Sequence, residues 1–347
     1  MVTQKDVADL AGVSFITVSR VVRGEENVKP ETRRKVEEAI AKLGYAPSFA
    51  GQVLNSGRCN TIGVLTPIPL YKSMRSFYLM SVLSGINDIC YKNGTDILMN
   101  IVPESEKNTN YDYLRAYRQK KVDGIIYVGL KKITQEMTDE IKLRKLPCVV
   151  IADRPEADIF SWVDTDNFLA AKNTVNELWK RGHRRLAFLG LNKNIYNANV
   201  AEREKGFVER LKQLGVDYNP QDYVIRTDYD SELINEDVEK AFKTFKEKPT
   251  ALFCCTDSCV PGACKGLKNL GLSIPEDVSI VGFDGFINET NFPLNVATNV
   301  QPLVQMGQRA ADILFNHINN PDAQRENVIL NIPYVDGASV RNLLNSN

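Results

Sequence analysis

A short segment near the start of the chain carries side chains that suit contact with DNA bases. If the segment is a helix, Phe15 and Ser19 lie one turn apart. Ile16 and Arg20 have the same spacing, so the four side chains share one face. An arginine can bond a guanine bidentately in the major groove, and apolar side chains can contact thymine methyl groups. A second interpretation stays open, in which Phe15 or Ile16 packs against a neighbouring helix.

Residues for catalysis or metal binding show no recognisable pattern. The sequence has no G-x-G-x-x-G, no G-K-[ST] phosphate loop, no G-x-S-x-G elbow and no H-E-x-x-H. Cys255 and Cys259 have a C-x3-C spacing with Cys264 nearby, but neither histidine lies in that segment, so we expect no metal site. His183 precedes a predicted strand, where a turn-stabilising role is favoured over catalysis. We therefore expect no enzyme and no cofactor.

The first 45 residues predict three short helices. All three begin at a residue that caps or opens helices, and the first and third end at a glycine. Their expected ranges are Thr3 to Gly12, Ser14 to about Val22, and Pro30 or Glu31 to Gly44. In the second helix, Val18, Val21 and Val22 form an apolar stripe opposite the polar and aromatic face. Two helices joined by a tight turn, with a third to support them, form a helix-turn-helix unit.

From Thr61 onward, short β-rich runs alternate with amphipathic helical segments. The runs are 62–65, 124–128, 148–151, 186–189, 251–254 and 278–283. This alternation predicts parallel sheets covered by helices. The region is long for one sheet, and the polar stretch 160–167 marks a passage between two lobes. A cleft between two lobes is a natural site for a small molecule.

Composition is that of a soluble globular protein with more than one domain. The 347 residues include 43 Lys and Arg against 43 Asp and Glu, so partners cannot be inferred from net charge. No apolar run approaches the roughly 20 residues that span a bilayer, and the opening residues 1–6 are polar where a signal peptide would turn hydrophobic. Seven cysteines, an odd number, suit buried thiols in a reducing compartment. We expect a cytoplasmic, nucleoid-associated protein without membrane contact.

Several segments resemble, in order, the motifs of the lactose-repressor (LacI) family of bacterial transcription regulators. They are 6–14, 17–21, 29–33 and 43–47 near the start, followed by 60–64, 121–126, 181–188 and 275–284. The resemblance covers nearly the whole chain, and several motifs in order are far more specific than one. It implies an all-α helix-turn-helix headpiece and an α/β core of two doubly wound lobes, similar to type I periplasmic sugar-binding proteins.

The same resemblance implies a division into domains. The headpiece is expected at 1–46, a hinge helix and linker at 47–59, and an effector-binding and dimerisation core at 60–347. Within the core, we expect one lobe at about 60–162 plus 296–322 and the other at about 163–295 plus 323–340.

DNA contacts are implied for both the headpiece and the hinge. In the family a leucine of the hinge helix wedges into the minor groove and kinks the duplex, and Leu54 occupies the matching place. Gly51 and Gln52 stand where relatives usually carry Ala and Arg, so this helix should be less stable. That 48–58 is only a linker stays open. The expected DNA-binding residues are Lys5, Ser14, Phe15, Ile16, Thr17, Ser19, Arg20 and Leu54.

Effector-binding residues are likewise implied by the resemblance. Arg203, three residues before Gly206, corresponds to an arginine that grips the effector, and Asp284 to a carboxylate that accepts its hydroxyl hydrogens. The others are Tyr78, Leu79, Tyr229 and, with a structural cap or turn as the alternative, Asp153 and Asp257. Carboxylate, guanidinium and aromatic groups together suit a polyol.

The resulting functional prediction is a sequence-specific DNA-binding transcriptional regulator, a repressor. A small effector, a sugar or sugar derivative, switches its operator affinity. A homodimer on a palindromic operator is expected because one recognition helix reads few base pairs. The tail 338–347 is too short for a coiled coil that would join dimers into a tetramer. Two alternatives stay open: a sugar-binding or sugar-modifying α/β protein with an unrelated N-terminal appendage, and a solute-binding transport component, which would need an export signal.

Overall fold

The computed structural model describes residues 2–46, 53, 57–69, 76–102, 112–129, 132–192, 197–217, 219–228 and 231–344. The chain forms two compact units, one of residues 1–60 with 120–122 and one of residues 61–119 with 123–347. The predicted hinge helix at 48–55, with Gly51, Gln52 and Leu54, lies outside the described residues apart from Val53.

The first unit contains the three predicted helices, α1 (Gln4–Ala11), α2 (Phe15–Val22) and α3 (Pro30–Leu43). Thr3 caps α1: its hydroxyl accepts from the Asp6 amide, while its own amide donates to the Asp6 carboxylate at 2.7 Å. The Ser14 hydroxyl caps α2 by accepting from the Thr17 amide. These local hydrogen bonds confirm the predicted helix starts.

A small apolar core joins the three helices of the first unit. Val7, Val18 and Val36, one from each helix, have no exposed surface. Val21 is buried and Val22 packs against the same cluster, so the predicted inward stripe of α2 is confirmed.

The first lobe of the second unit is a parallel six-stranded sheet in the order β11-β5-β4-β3-β1-β2. Its strands are β1 (Thr61–Pro69), β2 (Asp96–Val102), β3 (Gly124–Val128), β4 (Cys148–Ile151), β5 (Ser161–Thr165) and β11 (Asn327–Leu330). Its helices are α4 (Phe77–Lys92), α5 (Arg115–Arg118), α6 (Gln135–Arg144) and α12 (Leu303–Asn319). Apolar residues of α4 and α12 pack on this sheet.

The second lobe has a six-stranded sheet in the order β12-β10-β9-β8-β6-β7, parallel except for β12. Its strands are β6 (Leu186–Leu191), β7 (Val224–Thr227), β8 (Ala251–Cys254), β9 (Ser279–Asp284), β10 (Ala297–Val300) and β12 (Tyr334–Val335). Its α-helices are α7 (Asn167–Lys180), α8 (Ala198–Gln213), α9 (Pro220–Tyr223), α10 (Ser231–Thr244) and α11 (Val260–Asn269), with 3-10 turns at Asp257–Cys259 and Ile287–Glu289.

The chain passes between the lobes three times, after β5, after β10 and after β11. The predicted lobe boundaries are therefore wrong in part. The boundary at 162/163 divides β5, which belongs wholly to the first sheet. β10 was expected in the first lobe but lies in the second, and β11 was expected in the second but lies in the first. A four-residue strand does not reveal from its own composition which sheet it joins.

His183 has the structural position that its sequence context predicts. One ring nitrogen is 2.9 Å from the Thr250 hydroxyl and the other is 3.0 Å from the Arg341 carbonyl. Burial lowers the pKa of this imidazole below its ordinary value. His183 therefore joins the turn before β6 to the C-terminal segment.

The sequence also led to expectations about the cysteines, metal binding and membrane spans. All seven cysteines are free thiols, and six of them are buried. Within the described ranges, no group of three or more His, Cys, Asp or Glu side chains is arranged to hold a metal ion. No helix among these residues is both long and apolar enough to cross a bilayer.

Two glycines set the contact between α4 and α12 in the first lobe. A Cβ on Gly85 would lie 1.9 Å from the Val304 carbonyl oxygen, and one on Gly307 would lie 2.1 Å from the Val82 carbonyl oxygen. The two helix backbones thus approach each other directly, and neither position has room for a side chain.

Gly85→Ala should lower the free energy of unfolding by at least about 1 to 3 kcal/mol, because the added methyl group meets backbone atoms that cannot rotate away. Urea unfolding followed by circular dichroism measures this loss. The control is Ser84→Ala, at the neighbouring exposed position of the same helix, which should change stability by less than about 0.5 kcal/mol. Equal stabilities of the two variants would contradict the packing argument.

Candidate DNA-binding face and effector cleft

Among the described residues, the outer face of α2 is exposed. Phe15 is 56% exposed and Ile16 is 59% exposed, so neither packs into the headpiece core. Arg20 is also exposed, with its Nε 3.8 Å from a Glu25 oxygen, and an exposed pair of this kind holds a side chain only weakly. Of the two interpretations that the sequence left open, the structure favours the exposed reading face.

The remaining headpiece candidates lie around this face. Ser14 and Thr17 bond each other through their hydroxyls at 2.9 Å, so part of their hydrogen-bonding capacity serves the start of α2. Ser19 is half-exposed on the same helix, and Lys5 is exposed on α1. The face thus combines two apolar side chains with a guanidinium and hydroxyls, a set that fits base edges and phosphates.

In the second unit, Arg203 is buried and held on three sides. Its Nε donates to Asn167 Oδ1 at 2.8 Å, and its Nη1 donates to the Cys255 carbonyl at 2.6 Å. Its guanidinium carbon lies 3.6 Å from the centroid of the Phe283 ring. These contacts fix the plane of the guanidinium before any ligand arrives.

Asp284, at the end of β9, is the counter-charge of Arg203. One carboxylate oxygen accepts from the Thr256 hydroxyl at 2.5 Å; the other accepts from Gln301 Nε2 at 2.7 Å and from Arg203 Nη1 at 3.5 Å. Burial raises the pKa of this carboxyl, and Arg203 opposes the rise. The structure therefore brings together the two residues that the sequence nominated first.

The backbone of Asp284 is strained at the same place. Its φ is 119°, a region that residues other than glycine rarely adopt. Such conformations cost on the order of 1 to 3 kcal/mol and cluster at ligand sites, where the surrounding structure enforces them. Here the backbone amide of Gln301 donates to the Asp284 carbonyl at 3.0 Å, and the side chains of Thr256, Gln301 and Arg203 hold the carboxylate.

Tyr78 points its hydroxyl toward these charges from the first lobe. The hydroxyl is buried and has no hydrogen-bond partner within the described part of the chain. Burial raises the pKa of this phenol far above its ordinary value, and the carboxylates of Asp164 and Asp284 raise it further. A buried hydroxyl without a partner is costly, so a ligand that bonds it would recover free energy.

Leu79 corrects the expectation from the sequence. It has no exposed surface and packs in the apolar core of the first lobe, so it does not line the cleft. Leu79 belongs to the apolar stripe of α4 with Val82, Leu83 and Ile86, and this stripe faces the core. Phe77, which sequence reasoning missed, is the exposed aromatic here; it stacks on Phe286 of the second lobe with ring centroids 5.4 Å apart.

Asp257 has a fully buried carboxylate that supports the loop after β9. It accepts from the amides of Gly285 and Ile287 at 2.8 and 3.1 Å and from the Thr298 hydroxyl at 2.9 Å. Burial, and next the charge of Asp284, raise its pKa to about 7. Asp257 thus takes the structural role that the sequence left as its alternative.

Asp153 and Tyr229 are the remaining residues that were expected to bind the effector. Asp153 follows β4 and is mostly buried, with one oxygen accepting from the Arg154 amide at 2.9 Å. Tyr229 lies outside the described residues.

Sequence reasoning missed a hydrogen bond that joins the lobes. Asp164, in β5, accepts from Arg154 Nε at 2.7 Å and from Asn199 Nδ2, on α8 of the second lobe, at 3.1 Å. The available signal is its place near the carboxyl end of β5, the edge of a parallel sheet where ligands bind, but the sequence analysis interpreted 160–167 as a polar passage and not as a strand. Thr256, just beyond β8, carries the same signal.

Together these features define a class of protein. An exposed helix-turn-helix face lies at the start of a chain whose core brings a guanidinium, carboxylates and a phenol to the carboxyl ends of two parallel sheets. That combination is typical of DNA-binding regulators with a small-molecule site.

Comparison with known proteins gives the family. Residues 3–48 match the family model of bacterial regulatory proteins of the lacI family, and residues 175–340 match that of the periplasmic binding protein-like domain. The chain is 33% identical over 322 residues to catabolite control protein A of Priestia megaterium, covering 92% of this chain and 93% of that protein. It is 31% identical to the HTH-type transcriptional repressor PurR of Vibrio cholerae serotype O1 (strain M66-2) over the full length of both. The chain belongs to the LacI family of transcriptional regulators.

Solved structures confirm the fold. A lac repressor dimer bound to operator and the anti-inducer ONPF has a TM-score of 0.83 at 22% identity, covering 98% of this chain and 99% of that one. A complex of the transcriptional regulator CelR with cellobiose has a TM-score of 0.71 at 24% identity, covering 98% and 100%. Because relatives and structures span headpiece and core together, an unrelated N-terminal appendage is not favoured.

Asp257→Asn should flatten the pH dependence of stability. The carboxyl ionises at 3.8 when unfolded but near 7 when folded, so between these values the folded chain binds more protons and the free energy of unfolding falls as pH rises. Each unit of pKa difference corresponds to about 1.4 kcal/mol, so the fall is a few kcal/mol. Urea unfolding between about pH 4.5 and 7.5 measures it. Asp139→Asn, at an exposed position, should keep the slope of the unsubstituted chain, and a slope unchanged in Asp257→Asn would contradict the burial argument.

Proposed function

We propose that this chain is a repressor that binds a palindromic operator as a homodimer and that a small polyhydroxylated effector, a sugar or sugar derivative, sets its DNA affinity. The observation that carries the DNA-binding part is the exposed face of α2, where Phe15 and Ile16 stay outside the core of a small unit. Relatives that cover the whole chain are repressors by name, which supports the proposal.

The effector part rests on the chemistry of the cleft. Asp284 can accept hydroxyl hydrogens, Arg203 can donate to hydroxyl oxygens, and the Tyr78 hydroxyl lacks a partner within the described ranges. Solved family structures hold cellobiose and, in a LacI family regulator from Enterococcus faecium, ribose. The charged pair thus has the role of binding and orienting a neutral polar molecule, not of transforming it. We accordingly propose a non-enzymatic regulator that acts in the cytoplasm.

The switch follows from the position of the cleft. A ligand that contacts Tyr78 on one lobe and Arg203 on the other favours one angle between the lobes. The first lobe begins at Thr61, directly after the segment that leads from the headpiece, so a change of this angle alters how the headpieces of a dimer are spaced. Coupling of this kind amounts to about 1 to 3 kcal/mol and is reciprocal between effector and DNA.

Two measurements test the proposal. Selection from a random DNA library should enrich a palindromic sequence that the protein binds more tightly than unselected DNA. A thermal-shift panel of ribose, cellobiose, ribose 5-phosphate and hypoxanthine should show stabilisation by a neutral sugar, because a ligand bound only to the folded state raises the melting temperature. No enriched sequence would exclude the repressor, and sugar turnover without DNA binding would favour an enzyme.

Arg20→Ala should reduce affinity for the selected sequence by about 1 to 3 kcal/mol and relax preference at one base pair in each half-site, because it removes a base contact. Lys5→Ala is the matched comparison, since Lys5 is exposed and we propose that it contacts only phosphate. It should weaken binding to all sequences alike and reduce the salt slope by about one unit per site. Fluorescence anisotropy on selected and scrambled DNA gives both values. If Arg20→Ala loses the same affinity on both DNAs, Arg20 contacts the DNA backbone and not a base.

Arg203→Met should weaken binding of the sugar that stabilises the protein by about 10- to 150-fold, the equivalent of charge-assisted hydrogen bonds worth about 1.5 to 3 kcal/mol. Arg210→Met is the matched control. Arg210 lies on the same helix and its Nε donates to Asn176 of α7 at 2.6 Å, as Arg203 Nε donates to Asn167. Isothermal calorimetry should find the control unchanged. Similar affinities of the two variants would place the effector elsewhere.

A further inference from the structure

A chain of buried hydrogen bonds leads from Arg203 to Asp284 by way of the passages between the lobes. Arg203 Nε donates to Asn167 Oδ1 at 2.8 Å, and Asn167 Nδ2 donates to the Thr165 hydroxyl at 3.2 Å. That hydroxyl donates to Gln301 Oε1 at 2.9 Å. Gln301 Nε2 then donates to Asp284 Oδ1 at 2.7 Å. We call these five residues the relay; its two ends are the proposed effector groups.

Every hydrogen bond in the relay runs in the same donor-to-acceptor direction. This direction fixes which way the side-chain amides of Asn167 and Gln301 are turned. Gln301 must aim its oxygen at the Thr165 hydroxyl because it aims its NH2 at the Asp284 carboxylate. The hydroxyl of Thr165 lies at the centre of the relay, because it accepts a hydrogen bond from Asn167 and donates one to Gln301. The five residues of the relay are 0 to 5% exposed, so water does not offer substitute hydrogen-bond partners.

The middle of the relay lies where the chain crosses between lobes. Thr165 ends β5 of the first sheet and Asn167 begins α7 of the second lobe, so they flank the first passage. Gln301 follows β10 at the second passage. Backbone bonds attach the third passage to both: the Asp166 amide donates to the Leu330 carbonyl at 3.2 Å, and the Val300 amide donates to the Pro333 carbonyl at 2.9 Å.

We propose that Thr165 and Gln301 are positioning residues that transmit the state of the Arg203–Asp284 pair to the angle between the lobes. A change in charge or geometry at Asp284 moves the Gln301 amide, and Gln301 and Thr165 then shift the first and second passages together. The inference rests on the proposed function, because its readout is DNA affinity. It concerns residues that need not touch the effector.

The test is a double-mutant cycle that needs no identified effector. Asp284→Asn removes the negative charge at one end of the relay, which leaves Arg203 without its counter-charge and weakens the charge-assisted hydrogen bond from Gln301. With the DNA selected from a random library as probe, Asp284→Asn should change Kd about 5- to 150-fold in the unsubstituted chain. In the Thr165→Val background, which lacks the central hydroxyl, the same substitution should change Kd less than about twofold.

The chain offers a closely matched control. Thr174 is as buried as Thr165, and its hydroxyl bonds the side-chain amide of Asn299 at 2.8 Å, two residues before Gln301. This pair lies outside the relay, so Thr174→Val should leave the effect of Asp284→Asn as large as in the unsubstituted chain. Thr165→Ser, which retains the hydroxyl, should also keep it. Gln301→Met breaks the relay at a second point and should reduce the effect as Thr165→Val does.

Each outcome decides the matter. The relay is overturned if Asp284→Asn changes Kd as much in folded Thr165→Val or Gln301→Met chains as in the unsubstituted chain. It is also overturned if Asp284→Asn changes Kd less than about twofold in the unsubstituted chain. Loss of the effect in Thr174→Val to the same extent as in Thr165→Val would overturn it too. If Thr165→Val fails to fold, as judged by circular dichroism, Gln301→Met and Thr165→Ser decide. Failure to select any DNA sequence overturns the proposed repressor and this inference with it, whereas a selected sequence without coupling overturns only the relay.

Discussion

The buried pair of Arg203 and Asp284 is the constraint on which the arrangement of the core depends. Removing two charges from water costs several kcal/mol for each ion, and their mutual attraction offsets this only when further hydrogen bonds satisfy the remaining atoms. At 3.5 Å their direct contact is long, so most of the compensation comes from other groups: Asn167, the Cys255 carbonyl, Thr256, Gln301 and the face of Phe283. Asn167 and Gln301 lie at the first and second passages between the lobes, and the other partners belong to the second lobe.

This arrangement gives a physical route by which the proposed effector site, made largely of second-lobe residues, would influence the first lobe. Two of the side chains that stabilise the charges, Asn167 and Gln301, also lie at the passages between the lobes. Asp164 adds a direct link, because its carboxylate holds Arg154 of its own lobe and Asn199 of the other. Binding chemistry and interlobe geometry are thus properties of one polar network.

The headpiece could be predicted from sequence almost completely, because its caps and helical periods act over three to four residues. Thr3, Ser14 and the valines of α2 needed no distant partner to be interpreted. The family resemblance placed Arg203 and Asp284 together, as the structure shows. It nominated Leu79 for the effector, whereas Leu79 shares the buried face of α4 with Val82, Leu83 and Ile86. For Asp257 it left a structural role open, and the amides that bind this carboxylate follow 28 and 30 residues later, too far along the chain for a local pattern to reveal. β10 is almost wholly buried and β11 is partly exposed, but each has only four residues, too few to show from their own composition which sheet they join.

The three passages also constrain the order in which the protein can be completed during synthesis. The headpiece uses contacts within its first 45 residues, and such local contacts form early on an emerging chain. Both lobes, in contrast, receive edge strands from the end of the chain: β11 completes the first sheet and β12 the second, and α12 covers the first sheet shortly before. Neither lobe can close its core until the ribosome has made β11 and β12, which follow all the other described strands. A nascent chain therefore presents a folded headpiece well before it has a core through which an effector could govern it.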